Sequence, residues 1–95
     1  MLDKAQCKIL RQMISEQDWK LVDVRTAHEY YHSHLPGAEH CAPEDLSRLD
    51  SFNKYLLYCR SGARSETAKN FLKMKGIEAI NIGGYDSLRE CLEST

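Results

Sequence analysis

The stretch CRSGARS, residues 59–65, puts a thiol, two arginines and a glycine into one short connector. A connector built round Gly62 can curl so that successive backbone N–H groups point at one spot. A helix starting just after it adds the positive end of its dipole to the same spot. Arg60 and Arg64 contribute full charges. All three influences favour the thiolate of Cys59, and a thiolate in an anion-binding nest is a nucleophile toward negatively charged or polarised substrates. The plainer alternative is a buried cysteine at a strand end followed by an ordinary turn, and residue chemistry alone leaves both open.

A second stretch, HEYYH at 28–32, fits the H-E-x-x-H pattern, in which two histidines one helical turn apart hold zinc and the glutamate works on a bound water. The surroundings argue against it. Leu35, Pro36 and Gly37 stop the helix soon after His32, whereas the zinc motif needs a long helix and a third ligand. His34 and His40 are the other histidines. Neither fits the extended spacing, because position 35 is Leu and position 38 is Ala. We expect no metal and no cofactor.

These residues need elements to hold them. Leu2, Ala5, Ile9, Leu10, Met13 and Ile14 follow helical spacing, which predicts an amphipathic helix over 3–16. KLVDV (20–24) reads as a strand, and TAHEYYHSH as a short helix capped by Thr26 and stopped by LPG. AEHC (38–41) is a weak strand, and PEDLSRLD (43–50) opens a helix on a proline. KYLLYC (54–59), apolar on both faces, is the strongest strand, as in a buried parallel sheet. SETAKNFLKMKG (65–76) is a helix with Ala68, Phe71 and Leu72 on one face. EAINI (78–82) is a strand, the two glycines after it turn the chain, and YDSLRECLE (85–93) is a final helix. Strands alternating with helices predict a three-layer α/β fold: a parallel sheet of four or five strands with helices on both faces. In such sheets ligands sit beyond the carboxyl ends of the strands, which is where Cys59 stands.

Composition bounds the rest. Ninety-five residues make one domain over 1–95. With 42% apolar and 28% charged residues the chain reads as an ordinary globular protein. A net charge of −1 calls for neither nucleic acid nor membrane, and no apolar run approaches a membrane span. The start of the chain lacks the apolar core of a secretory signal, so the expected address is the cytoplasm. Cys7, Cys41, Cys59 and Cys91 lie at least 18 positions apart, which leaves no C-x-x-C pair. We read them as individual thiols, three of them packing residues.

Taken in order, the motifs resemble the rhodanese-like family over nearly the whole chain. LVDVRTAHEY is similar to that family's strand-to-helix signature, SHLPGAEHCAPEDL to its G-H-I-P-G-A segment, YLLYCRSGARS to its active-site strand and loop, and INIGGYDSL to its closing strand and last helix. Each motif alone is modest; the order and spacing make the likeness specific. The resemblance implies a sulfurtransferase in which Cys59 attacks the sulfane sulfur of thiosulfate or a persulfide, becomes a cysteine persulfide, and passes the sulfur to cyanide, a small thiol or a protein thiol. It implies that the amides of Arg60, Ser61, Gly62, Ala63 and Arg64 hold the persulfide and the donor's anionic group, with no general base needed. Asp23, Arg25 and Glu29 follow the family pattern as structural support. An Arg25–Glu29 salt bridge is expected at the strand-to-helix corner. Asp23 either accepts hydrogen bonds from loop amides or caps the next element.

Three departures stand out. Ser33 replaces a common glycine, Tyr85 follows Gly84 where tryptophan is frequent, and the usual first strand is missing, which suggests four strands. Two other readings stay open. One is a cysteine-dependent phosphatase or arsenate reductase of related fold, whose loops place five residues between Cys and Arg; here four separate Cys59 from Arg64. The other is a non-catalytic interaction module on the same scaffold. The chain is expected to act as a monomer on small molecules.

Overall fold

The computed structural model of the protein describes residues 2–93. In chain order it contains α1 (Lys4–Glu16), β1 (Trp19–Asp23), α2 (Ala27–His32), β2 (Glu39–His40), a 3-10 helix (Pro43–Arg48), β3 (Lys54–Cys59), α3 (Ala63–Met74), β4 (Ala79–Gly84) and α4 (Tyr85–Glu93). The sheet has four strands in the order β2-β1-β3-β4, every pair parallel. The four-stranded alternative is therefore the one realised. From β1 the chain moves to β2 on one side, then returns to place β3 on the other. The crevice beyond the ends of β1 and β3 is thus the topological switch point, where α/β sheets bind ligands.

The two-residue period of the strands sorts the core into two layers. Tyr55, Leu57 and Cys59 of β3 face one side with Val22, Leu46, Ala68 and Leu72, under α3 and the 3-10 helix. Leu56 and Tyr58 face the other side with Leu10, Trp19, Leu21 and Leu88, under α1 and α4. β3 is central and buried along nearly its whole length, as its unbroken apolar run requires.

Several local expectations change. The segment after Pro43 closes as a 3-10 helix, and α3 starts at Ala63, two residues before the expected point. Phe71 lies partly exposed while Ala68 and Leu72 are buried. Gly83 and Gly84 do not turn the chain. They complete β4, after a bulge in which Leu57 pairs with Asn81 and Tyr58 pairs with Gly83, and α4 follows at once. Cys7 and Cys91 are not separate thiols but a disulfide joining α1 to α4. Cys41 is the expected buried packing thiol. Among the described residues no helix is long and apolar enough to cross a membrane.

Candidate active site

β3 delivers Cys59 to the floor of the switch-point crevice, and the chain then folds back over it. Gly62 adopts φ +98°, a left-handed conformation that glycine accepts without strain, and becomes the N-cap of α3. This reversal aims donors at the sulfur. Cys59 Sγ lies 3.0 Å from the Gly62 amide, 3.4 Å from the Ser65 amide and 3.4 Å from the Ser65 hydroxyl. Burial opposes ionisation of the thiol, but the Ser65 hydroxyl and the amides of Ser65, Gly62 and Ser61 outweigh it, so Cys59 sits below its ordinary value. Cys59 is 0% exposed. The sulfur lies beneath the loop, and the neighbouring Arg60 and Ser61 are exposed.

β4 braces this loop from below. Asn81 donates from Nδ2 to the Gly62 carbonyl and to Glu66, each at 3.0 Å. Its Oδ1 accepts from the Gly83 amide at 3.0 Å and from the Ser65 hydroxyl at 2.7 Å. The Ser65 hydroxyl thus has one proton for three acceptors: Asn81, the Gly62 carbonyl and Cys59. Rotation of that hydroxyl can follow the charge on the sulfur. Gly84 packs so closely that a Cβ there would lie 2.6 Å from the Arg60 carbonyl oxygen.

The supporting residues meet in a different pairing from the expected one. Arg25 does not bridge to Glu29. It forms a buried pair with Asp23, Nη2 to Oδ2 at 2.6 Å, and donates from its backbone amide to Asp23 at 2.8 Å. Burial costs the guanidinium, but the hydrogen bonds and charge of Asp23 more than offset it and raise Arg25. Arg25 also donates to the Ser33 carbonyl at 2.6 Å, and its guanidinium carbon stands 4.6 Å from the centre of the Tyr85 ring. Glu29 instead takes Arg64 in a two-bond fork and completes the capping box of Thr26. Asp23 therefore serves its own corner, and Thr26 caps α2. The Ser33 and Tyr85 hydroxyls, two of the three departures noted above, hydrogen-bond to each other.

An open cleft of about 350 Å³ lies beside the loop, walled by Arg25, His28, His32, Ser33, Arg60 and Tyr85. Cys59 does not line it. His28 and His32 do share a helix face, and it is this rim they decorate. Glu29, which the zinc pattern needs free for a water, is committed to Thr26 and Arg64. Among the described residues no three His, Cys, Asp or Glu side chains gather where a metal ion could be held.

Of the loop residues singled out from sequence, Gly62 and Ser61 turn amides to the sulfur. Arg60 is exposed and forms no ion pair among the described residues. Arg64 is spent on Glu29, and Ala63 opens α3. Ser65 and Asn81 were missed. Ser65 had a signal, since it closes the quoted loop and lies in the first turn of α3; Asn81 had none within its own strand.

The sequence model described as the Rhodanese-like domain matches residues 6–91. A protein named sulfurtransferase in Allochromatium vinosum is 31% identical over 90 residues, covering 88% of this chain and 84% of that one. YtwF of Bacillus subtilis is 31% identical over 74 residues, covering 74% and 72%. Among solved structures, a rhodanese-like domain protein from Staphylococcus aureus superposes with a TM-score of 0.71 at 26% identity, covering 86% of this chain and 85% of the other.

Proposed function

The chain belongs to the rhodanese-like domain family, and from that premise we propose that it moves a sulfane sulfur, through a persulfide on Cys59, from thiosulfate or a persulfide donor to a thiophilic acceptor. Sulfur transfer is the activity of the family; the donor, the acceptor and the role of each residue are our assignment.

The Cys59 thiolate attacks the outer sulfur of the donor. The donor's S–S bond breaks, and its electron pair leaves with sulfite or with a thiolate. Cys59 then carries one added sulfur bearing the negative charge. The acceptor, which is cyanide, a small thiol or a protein thiol, attacks that sulfur, and Cys59 departs as thiolate. Anionic sulfur is present before and after each step, so fixed N–H donors aid the reaction without a general base. The supporting observation is the convergence of the Gly62 and Ser65 donors on Cys59 Sγ.

Mass spectrometry of the intact protein after thiosulfate treatment tests this reading. One added, reductant-labile sulfur located on Cys59, absent from Cys59→Ser, is the expected result. Sulfur transfer persisting in a clean Cys59→Ser preparation would remove Cys59 from its role. An aryl phosphate hydrolysed faster than sulfur is transferred would favour the phosphatase reading.

A further inference from the structure

The Cys7–Cys91 disulfide lines a second open cleft, of about 540 Å³, between α1 and α4. Lys4, Lys8 and Arg11 line the same cleft, with Glu90 among the residues from α4. Positions 4, 7, 8 and 11 fall on one face of α1, so the three cations flank Cys7. Cys7 is half-buried and Cys91 is buried, so an incoming nucleophile meets the Cys7 sulfur first.

This disulfide holds one end of an element whose other end braces the candidate active site. α4 follows β4 with no linking residue. At its start, Tyr85 contacts the Ser33 hydroxyl and lies against the Arg25 guanidinium, and Gly84 presses on the Arg60 carbonyl. At its far end α4 is fastened to α1 by the disulfide and by Arg11 Nη1 donating to the Cys91 carbonyl at 3.0 Å.

We infer that Cys7–Cys91 is a thiol-responsive switch: an anionic small thiol docks among Lys4, Lys8 and Arg11, reduces the disulfide, and so loosens the α4 brace under the Cys59 loop. The thiolate attacks Cys7 Sγ and forms a mixed disulfide, and Cys91 leaves as thiolate and is protonated by water. A second thiolate attacks the small-molecule sulfur of that mixed disulfide, which releases a symmetrical disulfide and the Cys7 thiolate. Two thiols lose one electron each, and the protein disulfide gains both. The three cations attract the anion and stabilise both leaving thiolates. In a reducing compartment a disulfide of this kind is characteristically transient or sensing.

The activity arm of this inference rests on the sulfur-transfer reading; the exchange arm does not. Oxidised full-length protein is treated, at matched thiolate concentration, with mercaptoacetate, 2-mercaptoethanol or cysteamine, and alkylation at Cys7 and Cys91 is followed by mass spectrometry. Relative to the rates of the same thiols with an uncharged small-molecule disulfide, mercaptoacetate should open the protein disulfide about tenfold faster than cysteamine at low salt. High salt, or Lys4→Glu with Lys8→Glu, should close that gap. Reduced, desalted protein should then exchange the amides of 60–65 and 85–93 faster and show kcat/KM for thiosulfate several-fold lower. Cys7→Ser/Cys91→Ser should match it, and should that variant fail to fold, the desalted protein alone decides. A disulfide inert to all three thiols, one opened equally by all three, or opening that changes neither exchange nor kinetics overturns the switch. Oxidised protein that transfers no sulfur overturns the sulfur-transfer reading, while amide exchange still decides the switch.

Discussion

Arg64 and Glu29 meet through two parallel hydrogen bonds, Nη1 to Oε1 at 2.7 Å and Nη2 to Oε2 at 3.0 Å. The fork bolts the first turn of α3 to the first turn of α2. It fixes the far end of the Cys59 loop, and it neutralises a charge that would otherwise be offered to substrate.

Acid should undo this bolt. Hydrogen bonding to Arg64 holds the Glu29 carboxylate at about 2 instead of 4.5. A lowered folded-state value stabilises the fold above the unfolded value, and that stability is lost as pH falls through the folded value. Glu29→Gln should therefore melt a few degrees lower at pH 6, a loss of about 1 kcal/mol or less for so open a pair. The deficit should shrink between pH 4.5 and about 2. Thermal melts of both proteins across that range decide it; a constant deficit would mean that the amide substitution itself, not the lost charge, is responsible.

Arg60 and Arg64 should behave differently. Arg60→Ala should lower kcat/KM for thiosulfate by about threefold to tenfold at low salt and spare an uncharged sulfane-sulfur donor. Arg64→Ala should slow both donors alike, because its charge is already answered by Glu29 and its loss frees the loop. Parallel kinetics with the two donors make the comparison; a donor-selective loss in Arg64→Ala would contradict it.

Ser65 is the donor to Cys59 that side-chain substitution can remove. Ser65→Ala should move the inflection of Cys59 alkylation against pH upward, because the Ser65 hydroxyl helps to hold the thiol below its ordinary value. The amides of Gly62 and Ser65 remain, so the variant should keep part of the depression. An unmoved inflection would mean that the hydroxyl belongs to Asn81 in every charge state.

Gly84→Ala should damage both function and stability. The added carbon would sit 2.6 Å from the Arg60 carbonyl oxygen, and backbone must yield. We expect a stability loss of about 1–3 kcal/mol. Displacing the loop should cost about tenfold or more in kcat/KM. A denaturant melt and a thiosulfate assay on one preparation give both numbers, and wild-type kinetics would show that the loop can shift without penalty.

The strands and helices were legible because each carries its own period, cap or breaker: β3 in its apolar run, α2 in Thr26 and Glu29. The candidate loop was legible because Cys59, Gly62 and Arg64 lie within six consecutive residues. What could not be read was any pairing made by the topology. Glu29 and Arg64 are 35 positions apart and Cys7 and Cys91 are 84 apart. Neither pair is set by local spacing, so the nearby Arg25 looked the better partner for Glu29. Asn81 and Ser65 meet only because β4 lies beside β3 and α3 packs over both. The two glycines of β4 looked like a turn because a bulge and a close approach leave the same trace as a reversal.

Cys59 combines a depressed thiol value with complete burial. A thiolate is the form that peroxide attacks, and past the sulfenic acid the damage is irreversible. Sealed beneath its own loop, this sulfur is screened from the bulk oxidant until the loop opens. We therefore expect loop opening, together with the fraction of thiolate, to set the rate at which hydrogen peroxide attacks Cys59. On the proposed chemistry, the cradle that activates Cys59 toward a bound donor also shelters it from an unbound oxidant.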